Sequence, residues 1–156
     1  MLIQGKILSY GDDLSEVYAI RRKVFIEEMK VPEEIEFDGM DDTAMHVIVY
    51  EEAGSKKAVA TGRIWFDGTT CEIGHISVLK EYRKRMYGDF TVRMLLNKAF
   101  TANIFDVDTI AFTSTIGFFE KIGFRISSEV LSIQAQACYK LSINMNNVIT
   151  ACHKNS

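Results

Sequence analysis

Residues 71–88, CEIGHISVLKEYRKRMYG, constrain this chain more than any other stretch. A β-branched apolar run containing Ile73, Ile76 and Val78 stops at Leu79. Four bases, Lys80, Arg83, Lys84 and Arg85, then stand against one acid, Glu81. An amphipathic helix follows over residues 86–103, with Val92, Leu95, Leu96, Ala99 and Phe100 on one buried face. The order strand, basic turn, helix aims backbone N–H groups and cationic side chains at one place. That arrangement suits an anion, and a diphosphate in particular.

The remaining pattern fits one mixed α/β domain, because 156 residues are enough to enclose a hydrophobic core. Residues 3–9 read as a first strand, ended at Gly11. Asp13 and Glu16 have capping-box spacing, and Leu14, Val17, Ile20 and Val24 form the stripe of the helix that follows. Pro32 and Gly39 interrupt regular structure. Residues 46–50, 58–66 and 71–79 read as three antiparallel strands, turning at residues 54–56 and 67–68. After the helix come a strand over 108–112, a short helix over 115–122 capped by Gly123, and a hairpin of 124–131 with 137–143. Residues 146–156 read as a tail or minor extra element. The strand, helix and strand from residue 71 to residue 112 form a βαβ unit, where open sheets tend to bind ligands.

Charge and cysteines exclude several classes. The net charge of −3 does not favour general nucleic-acid binding. Cys71, Cys138 and Cys152 are odd in number and lack C-x-x-C spacing. Neither a disulfide framework nor a metal site is expected, and a reducing cytoplasm fits. No stretch approaches the roughly 20 apolar residues of a membrane span, so no membrane partner is expected. Residues 27–42 hold eight acids against one base, Lys30. A solvated loop is the plain reading of that segment. The functional reading is a lure for a cationic amine.

Three blocks resemble the GNAT superfamily of N-acetyltransferases. Residues 83–88, RKRMYG, look like its acyl-CoA diphosphate loop, with Met86 where a glycine is usual. Residues 117–124, GFFEKIGF, resemble its later motif, with Phe119 in place of tyrosine. Residues 21–28 and 31–38, RRKVFIEE and VPEEIEFD, resemble the ElaA/YjcF-like branch. The resemblance covers nearly the whole chain to about Ile143 and implies a domain over residues 1–145, with a mixed, mostly antiparallel sheet flanked by helices.

The resemblance further implies acetyl transfer from acetyl-CoA, a cosubstrate, to a primary amine. Arg83, Lys84, Arg85, Met86, Tyr87, Gly88 and Asp89 would hold the diphosphate. Backbone groups of Ile76, Ser77 and Val78 would pair with the pantetheine arm, and N–H groups of the same strand would polarise the carbonyl. Phe118 would add to the cofactor site. Glu28, Glu33 and Glu34 would face a cationic small molecule or peptide. Glu72 falls where some members carry a glutamate base that works through water, and burial would make it a better one. His75 is the rival base, since its ordinary pKa near 6.5 suits the role. The two stand an odd number of positions apart, so a regular strand would turn them to opposite faces. Phe119 has no proton to give a departing thiolate, and Tyr87 and Tyr139 are the substitutes within the chain. His46 reads as structural. A homodimer through edge strands is compatible with such folds. The alternative function is a catalytically weak acyl-CoA-binding or regulatory module.

Overall fold

The computed structural model describes residues 2–133 and 136–150. Residues 151–156, with Cys152 and the end of the expected tail, lie outside the described residues. The chain gathers into two compact units. The first holds the chain through Phe66 together with Ile73–Lys98. The second holds Asp67–Glu72 and the chain from Ala99 onward.

In the first unit β1 (Leu2–Leu8) pairs antiparallel with β2 (Met45–Ala53), and β2 with β3 (Ser55–Asp67). β4 (Thr70–Val78) lies beside β3. Gly54, at φ 86°, makes the tight reversal between β2 and β3. Helix α1 (Ser15–Arg21) lays Val17, Ile20 and the following Val24 into a core with Leu8, Ile48 and Leu79. The expected capping box does not form. Asp13 accepts the Ser15 N–H at 2.9 Å, while Glu16 accepts the Tyr50 hydroxyl at 2.6 Å.

Past Arg21 the helix widens into a π-helical segment, Arg22–Glu28, in which the Met29 N–H reaches back to the Val24 carbonyl. A single turn, α2 (Glu33–Glu36), follows Pro32, and the pattern of the sequence did not predict it. Helix α3 (Tyr87–Thr101) buries Val92, Leu95, Leu96 and Ala99 as its spacing predicts.

In the second unit β5 (Asp106–Phe112) and β6 (Arg125–Ile133) each pair antiparallel with β7 (Gln136–Asn144). Helix α4 (Ile116–Ile122) ends at Gly123, whose φ is 127°. A Cβ there would meet the Asn147 carbonyl oxygen at 2.3 Å, so only glycine fits. Met145–Asn147 form one 3₁₀ turn where a tail or minor extra element was expected to begin. The fold is thus mixed α/β with mostly antiparallel pairing. No helix among the described residues is long and apolar enough to cross a membrane.

Candidate active site

The basic turn occupies the link between β4 and α3. A 3₁₀ turn, Lys80–Tyr82, leads into it, and Lys84 and Met86 both take left-handed backbone conformations, at φ 64° and 71°. Position 86 therefore keeps the backbone a glycine would give. The Met86 side chain is 63% exposed, so strain of about 1–3 kcal/mol is not offset by burial. The first intrahelical bond of α3 runs from Phe90 N–H to the Met86 carbonyl at 2.9 Å. The N–H groups of Tyr87, Gly88 and Asp89 precede it, at the positive end of a 15-residue helix.

The cations of this turn are not equivalent. Arg83 is engaged within the chain. Its Nη1 and Nη2 meet Glu28 at 2.6 and 2.7 Å, and its Nε donates to the Val78 carbonyl at 3.0 Å. Arg85 is half exposed, lies 5.4 Å from the Tyr82 ring centroid and is 3.6 Å from Glu51. Lys84 is exposed. Asp89 binds Arg93 one helical turn on, at 2.7 Å. Tyr87 is buried with its hydroxyl on Glu51. Burial, then that hydrogen bond and the Glu51 charge, push its pKa up to about 12. A phenol so held is a poor proton donor.

Behind the turn lies a buried ionic cluster. Arg21 is 1% exposed. Its Nε donates to Glu36 Oε2 at 2.6 Å, its Nη1 to Asp41 Oδ1 at 2.7 Å and its Nη2 to the Glu36 carbonyl at 2.7 Å. Arg63 grips Asp38 through two nitrogens at 2.9 and 3.0 Å and reaches Asp41 at 3.1 Å. Burial pushes the Asp38 carboxyl up, but the Arg63 hydrogen bonds, the Met40 N–H and the Arg63 charge outweigh it and hold the pKa at about 2. Asp41 is lowered by the same balance, with burial opposed by Arg21 and then Arg63. His46, opposite Arg63 across β2 and β3, donates from Nε2 to the Asp41 carbonyl at 3.1 Å. Its Nδ1 is buried without a hydrogen-bond partner, and burial pushes its pKa down.

His75 joins this cluster. Its Nδ1 lies 2.7 Å from Glu36 Oε2. Its backbone is left-handed, at φ 52°, and the alternation of buried and exposed residues along β4 breaks at residues 74–76. The parity rule for Glu72 and His75 assumes a regular strand, and the backbone at His75 departs from one. Glu72 is an exposed residue of β4 rather than a buried one.

The acidic stretch is therefore not a plain solvated loop. Glu36 and Asp41 are buried against Arg21, Asp38 is held by Arg63, and Glu28 is paired with Arg83. Glu33 pairs with Arg22. Glu33 and Glu34 line a cleft of about 600 Å³ with Tyr18, Phe37 and Asp42. Tyr18 and Phe37 meet edge to face in it at 5.5 Å.

In the second unit Phe119 is buried between Phe118, at 5.0 Å, and Phe124, at 5.3 Å. The position that carries the family's tyrosine is thus part of an aromatic core. Burial and the Asp108 charge push the Cys71 thiol up to about 11, which leaves it inert. No group of His, Cys, Asp and Glu able to hold a metal occurs among the described residues.

Sequence reasoning missed Arg21. Its signal was present: Val17, Ile20, Arg21 and Val24 fall at i, i+3, i+4 and i+7, so the arginine sits on the buried stripe. Nothing in the sequence pointed to Arg63 or Glu36.

The Acetyltransferase (GNAT) family matches residues 14–124 of this chain. The chain is 37% identical over 120 residues to the uncharacterized protein YyaT of Bacillus subtilis, covering 75% of this chain and 79% of that one. It is 28% identical over 127 residues to the uncharacterized N-acetyltransferase YjcF of the same organism, covering 81% and 89%. Escherichia coli ElaA has a similar fold, with a TM-score of 0.78 at 21% identity over 92% of this chain and 100% of that one. The chain belongs to the GNAT acetyltransferase family, in the ElaA/YjcF-like branch that its N-terminal blocks resemble.

Proposed function

We propose that this protein is a bacterial, cytoplasmic N-acetyltransferase that moves an acetyl group from acetyl-CoA to a primary amine of a cationic small molecule or peptide. The observation that carries this reading is the turn between β4 and α3. It keeps a left-handed backbone at Met86 against the preference of a methionine, directly before a helix N-terminus. Acetyl-CoA supplies an activated acyl thioester. Lys84, Arg85 and the N–H groups of residues 86–89 would hold its diphosphate, with Arg83 joining once it leaves Glu28. Backbone groups of Ile76 and Ser77 would take the pantetheine arm. The Ser77 hydroxyl is buried without a hydrogen-bond partner, and a ligand amide would satisfy it. The acceptor would enter the cleft lined by Glu33 and Glu34, whose acids and aromatic rings suit an ammonium on an apolar stem. Glu72 and His75 are the candidate bases. The catalytic domain spans residues 1–145.

A second reading, an acyl-CoA-binding or regulatory module with little catalysis, is favoured by two observations. Phe119 is buried among aromatic rings, and the Tyr87 hydroxyl is tied to Glu51. Titration calorimetry with acetyl-CoA and desulfo-CoA, followed by product assays with spermidine, lysine and kanamycin, separates the readings. Binding with product supports the enzyme, and binding without product supports the module. No binding of either ligand overturns both.

A further inference from the structure

We propose that Glu36 is the positioning residue of a His75 general base, with Asp38 as the carboxylate that draws the acceptor ammonium to it. This rests on the acetyltransferase reading. His75 holds a left-handed backbone inside a strand, a conformation that persists only where surrounding contacts enforce it. The enforcing contacts are on one nitrogen. Glu36 Oε2 lies 2.7 Å from Nδ1, and the Arg21 Nη2 is 3.5 Å from the same atom. The shorter contact decides the tautomer. A carboxylate only accepts, so Nδ1 carries the proton and donates it to Glu36. In the neutral ring Nε2 then presents a lone pair.

Glu36 is itself fixed. Arg21 Nε holds the same oxygen at 2.6 Å, and Arg21 Nη2 holds its backbone carbonyl at 2.7 Å. The carboxylate is 5% exposed and the imidazole 19%, so the oriented ring opens toward solvent while its anchor does not. Nε2 stands 3.9 Å from Asp38 Oδ2, too far for a hydrogen bond and near enough for both to face one ammonium. Asp38 cannot swing onto His75, because Arg63 grips both of its oxygens. Phe25 packs edge-on against the ring, at 6.1 Å between centroids. The charged groups facing the ring are therefore Arg21, Glu36 and Asp38.

The chemistry balances as follows. Nε2 takes one proton from the ammonium, leaving a neutral amine and an imidazolium that Glu36 stabilises. The amine nitrogen bonds to the thioester carbonyl carbon and the carbon–sulfur bond breaks. The departing thiolate takes the second amine proton, so no separate acid is needed in place of the Phe119 side chain. The imidazolium returns its proton to solvent.

The test uses the full chain with acetyl-CoA and whichever of spermidine, lysine or kanamycin gives most product. His75→Ala is expected to lose about 10²–10⁴-fold in kcat, with KM little changed, and added imidazole is expected to restore part of it. Glu36→Gln keeps an acceptor but loses the charge. It is expected to lower kcat with KM little changed and to move the His75 ring ¹⁵N signals away from the Nδ1–H pattern, which a merely structural role would not do. The ring ¹⁵N shifts of His75 in the wild type should report the Nδ1–H tautomer, with or without turnover. A His75→Ala variant that keeps kcat within about threefold, or an Nε2–H tautomer, overturns the base and leaves the acetyltransferase standing. Absence of product from the wild type with every amine overturns both. If Glu36→Gln does not fold, imidazole rescue of His75→Ala and the tautomer still decide.

Discussion

Glu28 closes a two-pronged ion pair on Arg83 across 55 residues of sequence, with both contacts under 2.8 Å. Arg83, a cation of the basic turn, is thus held by a carboxylate from the π-helical segment. The pair lowers the Glu28 pKa, mainly through the Arg83 hydrogen bonds, and raises that of Arg83 through the same bonds. In the acetyltransferase proposed above, a diphosphate would compete with Glu28 for that guanidinium.

Glu28→Gln should therefore tighten acetyl-CoA binding. The pair is about one-third exposed, so its loss is worth about 0.5–1 kcal/mol, or roughly two- to fivefold in Kd. Calorimetry at low and at 0.5 M salt checks this, since screening should narrow the difference between variant and wild type.

Met86→Gly should raise stability. Relief of the left-handed conformation gains about 1–3 kcal/mol, and the greater freedom of unfolded glycine takes back about 0.5–1 kcal/mol. A net of about 1 kcal/mol corresponds to a melting midpoint higher by about 2–4 °C. Met86→Ala keeps the strain and should show no rise. Thermal scans of the two variants give the answer.

Arg21→Met should cost about 3–5 kcal/mol, because it leaves Glu36 and Asp41 buried without their partner. A shift of the urea midpoint with little change in slope is the expected signature.

Stability should fall as pH drops from 7 toward 5, with His46 contributing. Burial lowers its folded pKa below 6.5. Below the unfolded value the unfolded chain binds a proton that the folded one refuses, so acid favours unfolding. His46→Asn should flatten this part of the curve. A second loss belongs to Asp38, whose carboxyl is depressed from 3.8 to about 2. Its contribution is complete above the unfolded value and disappears as pH falls through the folded one. Urea midpoints measured from pH 2 to pH 8 resolve both steps.

Local signals made most of the fold legible. The spacing of Val92, Leu95, Leu96 and Ala99 fixes the face of α3, and Gly123 marks the end of α4. The basic turn between β4 and α3 was visible as a charge cluster between a strand and a helix. The ionic cluster was not. The helical spacing of Arg21 places it on the buried stripe, but nothing local names Glu36 and Asp41 as the partners that neutralise it there. Glu72 was singled out by resemblance and His75 by its chemistry, and the left-handed backbone at His75 was not legible in the strand pattern. Pairings such as His75 with Glu36, 39 residues apart, leave no trace in local pattern.

The π-helical segment Arg22–Glu28 is the winding an α-helix adopts when it carries one residue too many. The widening absorbs that residue, so the side chains at its end keep the faces an unbroken helix would give them. Glu28 stands at that end and reaches Arg83. Loss of one codon from the segment would restore ordinary winding and leave the reach of Glu28 intact, so the segment can shorten by one residue without loosening Arg83.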